Sequence, residues 1–227
     1  MNKIDYKMMF GDKNNHGLFE GKEAFFGGPY LFNKAVPDET IEDIHNMIYD
    51  NDISFEKGAT GPNENKDESY SNNRDIAYVY PDDYSKWLFT YLSGAVQTAN
   101  DSQYHFDIEF VTDPIHYVIY PEPNTIGETG ELREEGGFLD WHMDIGFQQV
   151  NRRKLACIVQ LSDPSEYEGG QLQIWPGGSG ETDIVKLDLQ KGDVLVFPTF
   201  LLHRLSPVTK GERRALVYWA GSNRPFR

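Results

Sequence analysis

His142 and Asp144 stand two positions apart, and His203 lies downstream with Arg213 ten positions beyond it. Two imidazole nitrogens and one carboxylate oxygen make a facial triad. Such a triad holds one face of an octahedral Fe(II) and leaves three positions for substrate, cosubstrate and oxygen. A basic residue beyond the distal histidine suits the far carboxylate of a dicarboxylic keto acid, because the guanidinium fork matches a carboxylate with two parallel hydrogen bonds. These residue types point to a non-haem iron oxygenase.

The elements that must position them are strands. In an extended segment side chains alternate, so His142 and Asp144 share a face and can reach one ion; Gly146 then ends the run. A His-x-Asp pair alone is weak, since six histidines and many aspartates produce such pairs by accident. His203 strengthens it. It follows Gly192-Asp193-Val194-Leu195-Val196-Phe197-Pro198, a turn leading into a buried strand stopped by proline, and strand ends are where sites on β scaffolds gather. His16, His45, His105 and His116 lack that setting. His45 reads as part of a helix, and His105 and His116 as strand residues, surface-exposed or satisfied in the core. In the last strand, Arg213, Ala215, Val217 and Trp219 alternate with Arg214, Leu216, Tyr218 and Ala220. An inward arginine must be paired, by a ligand or by an internal acid. Alternation by itself does not choose between Arg213 and Arg214.

The rest of the chain reads as support. Two helices are expected. One follows Pro37-Asp38 with Ile41, Ile44, Met47 and Ile48 in phase; the other begins near Asp82-Asp83 with Tyr84, Trp87, Leu88, Tyr91, Leu92 and Val96 on one stripe. Asn51–Asn73 is a long polar loop. Beyond residue 103 short β runs are expected at Tyr104–Thr112, Ile115–Tyr120, Leu155–Leu161, Gln171–Trp175, Ile184–Leu187, Val194–Phe197 and Arg213–Ala220, a pattern of sandwich or jelly-roll type. No internal repeat, dinucleotide fingerprint or P-loop is present. The 227 residues suit a single domain, mainly β with supporting α-helices, in which 1–103 give helical and loop support and 104–227 the jelly-roll core.

Composition bounds the partners. With 21 Lys and Arg against 36 Asp and Glu, the net charge is -15, which disfavours nucleic acid. Cys157 is the only cysteine, so no intrachain disulfide forms. The N-terminal stretch has no apolar leader and no run is long enough to span a bilayer. A cytoplasmic protein without membrane partners is expected, in a compartment that keeps iron ferrous.

The blocks Trp141-His142-Met143-Asp144, residues 152–174 (RRKLACIVQLSDPSEYEGGQLQI) and residues 191–216 (KGDVLVFPTFLLHRLSPVTKGERRAL), with 73–100 before them, resemble the Fe(II)/2-oxoglutarate-dependent dioxygenases of the prolyl 4-hydroxylase type, and among these the bacterial and phage PKHD-type hydroxylases. The resemblance implies a double-stranded β-helix buttressed by N-terminal helices. It implies His142, Asp144 and His203 as catalytic iron ligands, with 2-oxoglutarate and O2 as cosubstrates and ascorbate supporting activity. Gly211-Glu212-Arg213 matches the family's Gly-x-Arg segment, which favours Arg213 for the C5 carboxylate. Tyr120 would lie near the cosubstrate, Trp219 would wall the pocket, and Trp141 and Arg153 would face substrate. Gln160 stands where the oxygen-sensing relatives place a tyrosine on the C5 carboxylate; an amide donor can substitute for it. Twenty-one residues separate Tyr120 from His142, and from Glu122 to Asp140 six acids face Arg133 alone, as a solvated loop or as a lid over the iron.

The implied reaction hydroxylates an unactivated C–H bond while 2-oxoglutarate becomes succinate and CO2. Asp144 favours hydroxylation, since related halogenases lack this carboxylate. The implied substrate is a prolyl residue in a peptide or protein, with a free amino acid or small metabolite as the alternative, and the protein would be a monomer or homodimer. The competing class is a non-catalytic metal- or sugar-binding jelly roll.

Overall fold

Alternation of side chains across the strands organises the whole molecule. The computed structural model describes residues 28–58, 72–146, 152–175 and 184–226. In chain order the early strands are β1 (Tyr30–Phe32), β2 (Phe55–Lys57), β3 (Asn72–Asn73), β4 (Asp75–Val79), β5 (Phe110–Val111), β6 (Ile115–Tyr120), β7 (Thr125–Ile126), β8 (Leu132–Arg133) and β9 (Phe138–His142). The later ones are β10 (Arg153–Gln160), β11 (Tyr167–Gly169), β12 (Leu172–Trp175), β13 (Val185–Leu187), β14 (Val194–Pro198), β15 (Leu202–Leu205), β16 (Val208–Gly211) and β17 (Arg213–Gly221). Helix α1 spans Asp38–Asp50 and α2 spans Lys86–Ala99.

Among the described residues, eight strands form a major sheet in the order β1-β14-β10-β17-β6-β4-β2, with β5 also on β17. Five form a minor sheet, β13-β12-β15-β9-β3. All these pairings are antiparallel. On the major sheet, Tyr117, Ile119, Leu155, Cys157, Val159, Val194, Val196, Leu216 and Tyr218 pack with Ile41, Ile44, Ile48, Leu88, Leu92 and Val96 of the helices. The alternate residues, Val118, Tyr120, Ala156, Ile158, Leu195, Phe197, Ala215 and Trp219, turn inward against Leu139, Leu172 and Leu205 of the minor sheet. The result is the expected jelly roll with helices on one outer face.

Helix α1 buries the four residues its periodicity marks. Helix α2 differs: Leu88, Phe89, Leu92, Val96 and Ala99 are buried, whereas Tyr84, Trp87 and Tyr91 lie exposed. Aliphatic side chains lie flat on the sheet, and the amphipathic rings keep their polar tips outward, with the Tyr91 hydroxyl donating to the Ala35 carbonyl at 2.5 Å. The strand expected over Tyr104–Thr112 is mostly absent. Asn100–Tyr104 continues α2 as a π-helical turn that ends at His105 with φ 56°, so His105 is not a strand residue. The Asn100 side chain fixes this ending by bonding both backbone groups of Phe106. The N-terminal part supplies more than buttresses, because β1, β2 and β4 pair directly into the major sheet. Of the polar loop expected at Asn51–Asn73, Phe55–Lys57 and Asn72–Asn73 form strands; 59–71 lie outside the described residues, as does His16.

The insertion between Tyr120 and His142 is largely solvent-exposed but carries a short hairpin, β7–β8. Arg133 and Asp75 form an ion pair with 1% and 0% of their side chains exposed. Asp75 also accepts from the Glu128 N–H, and Arg133 donates to Thr129. None of residues 122–137 lines the cavity described below. The insertion is pinned to the outer side of β4 rather than poised as a lid.

Candidate metal centre

His142 ends β9 and His203 sits on β15, directly opposite in the antiparallel register. Asp144, two residues past His142, is held by its N–H donating to the Thr199 carbonyl at 2.9 Å. His142 Nε2 lies 3.6 Å from Asp144 Oδ1, and His203 Nε2 lies 3.7 Å from Asp144 Oδ2. The three ligand atoms all fall within 4.8 Å of one another. With bonds of about 2.1 Å, cis ligands on an octahedron sit about 3.0 Å apart, so a small closure would seat an ion.

The imidazoles are also oriented for it. His142 Nδ1 lies 2.7 Å from the Asp140 carbonyl and His203 Nδ1 lies 2.8 Å from the Leu201 carbonyl. A carbonyl only accepts, so each Nδ1 must carry the proton and each Nε2 presents its lone pair toward Asp144. Burial first, and then the charge of His203, push the His142 pKa down to about 4, so at neutral pH it is a ready ligand. For Asp144 burial raises the pKa, but His203 and His142 outweigh it and hold the carboxyl below its ordinary range. Two imidazoles oriented by backbone carbonyls, with Nε2 of each turned toward a carboxylate, fit Fe(II).

Across the interior, the major sheet supplies the other half of the cavity. Arg213 of β17 and Tyr120 of β6 are register partners, with the guanidinium carbon 5.5 Å from the tyrosine ring centre. Arg213 is 3% exposed and, among the described residues, has no acid or hydrogen-bond acceptor at its guanidinium. Arg214 turns to the helix side and pairs with Glu212 at 2.5 Å, which resolves the choice that alternation left open. Trp219 lines the cavity beside the triad. Two lining residues escaped the sequence reading, His116 and Arg74. Alternation could have found His116, which shares a face of β6 with Val118 and Tyr120; its ring stands edge-on to Trp219 and Tyr78.

Three expected residues are placed otherwise. Arg153 does not line the cavity: it grips Asp113 at 2.6 and 2.8 Å and stacks on Trp219 at 4.1 Å, so its charge is spent positioning that wall. Trp141, one residue from His142, projects to the opposite face and stacks with Arg204. Gln160 lies on the inward face of β10 and is fully buried, but it cannot donate to a carboxylate. Its Nε2 already bonds the Ser162 carbonyl at 2.9 Å and the Tyr167 hydroxyl at 3.1 Å, which uses both amide hydrogens and leaves only an acceptor, Oε1, without a partner. Because Tyr167 Oη accepts from Gln160, its own hydrogen is free to point elsewhere. Tyr167, Gln160 and Arg213 line one recess at this end of the barrel. Gly170, at φ 56°, makes room there: a Cβ would meet Arg213 Cδ at 3.2 Å and the Tyr167 ring at 3.3 Å.

The double-stranded β-helix with a His-x-Asp…His triad and an acid-free arginine defines a class. Residues 128–221, which hold the triad, Arg213 and Trp219, match the family model described as "2OG-Fe(II) oxygenase superfamily". The chain is 36% identical over 107 residues to a PKHD-type hydroxylase of Maricaulis maris, covering 47% of each chain. It is 39% identical over 82 residues to one of Synechococcus, covering 36% of each. The alignments thus span about half or less of the curated relatives. In fold it is similar to a prolyl-4-hydroxylase of Pseudomonas putida (TM-score 0.60, 17% identity, 87% of this chain and 94% of that one). It is also similar to a prolyl hydroxylase of Trichoplax adhaerens in complex with a hypoxia inducible factor peptide fragment (TM-score 0.64, 16% identity, 86% and 84%).

Proposed function

We propose that the chain is an Fe(II)- and 2-oxoglutarate-dependent dioxygenase that hydroxylates an unactivated C–H bond of a prolyl residue in a peptide or protein, releasing succinate and CO2. One observation carries the reading. A triad of oriented ligands and a buried arginine with no acid partner among the described residues share one cavity. An unpaired buried cation is costly and calls for an anion. A dicarboxylic keto acid supplies it while its other end reaches the metal.

His142, Asp144 and His203 would hold iron, which when bound supplies oxygen activation at the expense of 2-oxoglutarate. Arg213 would fix the far carboxylate, with the Tyr167 hydroxyl as second donor. Tyr120 and Trp219 wall the cavity. A reducing cytoplasm suits this chemistry because it keeps the iron ferrous. Names of relatives favour the prolyl substrate: the sequence relatives are PKHD-type hydroxylases and the fold neighbours include prolyl hydroxylases, one bound to a peptide.

The test is a peptide array with Fe(II), 2-oxoglutarate and ascorbate, read by mass. A gain of one oxygen on proline-containing peptides, matched by equimolar succinate, is the expected result. Absence of succinate from every mixture, with 2-oxoglutarate left intact, contradicts it.

A further inference from the structure

In a chain carrying 36 acids against 21 bases, a sheltered arginine without an acid needs a reason. Arg133 has Asp75, Arg153 has Asp113, Arg214 has Glu212, and Arg224 has Asp107 and Glu109. Arg204 donates to Gln173 and lies over Trp141. Arg152 is exposed. Among the described residues, the two remaining arginines, Arg213 and Arg74, have no acceptor at their guanidinium groups, and both line the triad cavity. Arg213 is accounted for by the keto acid. Arg74 is not.

Arg74 directly precedes β4, and alternation sets it on the same inner face as Ile76 and Tyr78, opposite to Asp75. It is sheltered, and its Nε is buried with no partner among the described residues. It lines the same cavity as His142, Asp144, His203 and His116. Val118, Leu139, Ile158 and Val217 leave much of the lining apolar. His116, the remaining nitrogen base, is neutral at ordinary pH, since burial chiefly, then Arg74 and Arg153, push it down to about 3. Among the described residues, an anionic group entering beside the cosubstrate therefore meets one cation without a partner, Arg74. A carboxylate matches its fork.

We propose that Arg74 recognises a carboxylate on the substrate, so that the hydroxylated residue carries a free α-carboxylate or lies beside an acidic side chain. This rests on the function proposed above and narrows its substrate class.

The test uses full-length protein loaded with Mn(II) and 2-oxoglutarate, and four probes followed by thermal stabilisation. N-acetyl-L-proline is compared with its amide, and a doubly blocked Asp-Pro peptide with its Asn-Pro counterpart. At least one carboxylate probe is expected to bind about tenfold or more tighter than its neutral partner, as for a charge-assisted hydrogen bond. The pair that shows the preference identifies the source of the carboxylate. Arg74→Gln should bring that ratio near one and Arg74→Lys should keep most of it, with 2-oxoglutarate affinity unchanged in both. Equal binding within both pairs, no binding of any probe, or loss of 2-oxoglutarate affinity in Arg74→Gln overturns the proposal. Failure of the unsubstituted protein to bind 2-oxoglutarate is a different result: it removes the proposed function first and this inference with it.

Discussion

His142 and His203 face each other across the β9–β15 pairing with ring centres 4.2 Å apart, each tethered through Nδ1 to the carbonyl two residues before it. The chain thus fixes both tautomers with its backbone alone. His142→Ala is expected to lower divalent-metal affinity by about 100-fold or more, since outer hydrogen bonds alone carry about 10–100-fold. Far-UV circular dichroism should stay unchanged, because His142 contributes nothing to either apolar core. Titration with Mn(II) checks this; near-normal affinity contradicts the assignment.

Gln160 and Tyr167 act in series. Tyr167→Phe removes the hydroxyl that faces the Arg213 recess and is expected to weaken 2-oxoglutarate about 10-fold, the worth of a hydrogen bond to a charged group. Gln160→Leu should produce a smaller loss in the same direction, by freeing the tyrosine to turn. Calorimetry on the metal-loaded protein measures both. A larger loss in Gln160→Leu than in Tyr167→Phe means that Gln160 itself touches the carboxylate.

The pair Arg133–Asp75 anchors the β7–β8 hairpin where no water reaches it. Arg133→Met leaves Asp75 buried without its partner, at a cost of about 3–5 kcal/mol in urea denaturation. Pairing it with Asp75→Leu should recover much of that. A cost under about 1 kcal/mol would revive the mobile lid, because a segment that opens readily loses little when cut loose.

His45 sits between α1 and the sheet, its Nδ1 2.8 Å from the Tyr117 hydroxyl. Burial above all, then the charges of Arg214 and Lys191, bring its pKa from 6.5 to about 4. The unfolded chain takes up this proton as pH falls through 6.5, and the folded chain only near 4, so stability is lost on acidification across that window and is fully present above it. His116, also pushed down, adds in the same sense. Replacing His45 with Asn should flatten the fall by about 1 kcal/mol, allowing for solvent screening at this half-open site. Melting temperatures at pH 7 and pH 5 decide it; an unchanged slope contradicts a neutral His45.

Much of this was legible before any coordinates. Alternation alone places Trp219, Ala215 and Arg213 on one face of β17, and the strand signals at Ile115–Tyr120 and Val194–Phe197 mark the centre of the major sheet. Three things were not legible. The buried face of α2 is one, because aromatic spacing does not say which ring needs a polar outlet. The roles of Arg153 and Gln160 depend on partners 40 and 7 positions away, Asp113 and Tyr167, whose approach only the tertiary structure sets. Arg74 directly follows the Asn51–Asn73 polar stretch, and its inward face follows from β4, a strand whose five residues, Asp75–Val79, carry no separate strand signal in the sequence.

The central claim is that the triad and Arg213 make one site for a metal-chelating dicarboxylate. Calorimetric titration of 2-oxoglutarate into the protein, with and without Mn(II), and into Arg213→Ala, tests it directly. Binding that requires the metal and weakens about 100-fold in Arg213→Ala is the predicted result, the upper range for a charge-assisted pair. Binding of equal strength without metal, or undiminished in Arg213→Ala, would contradict it.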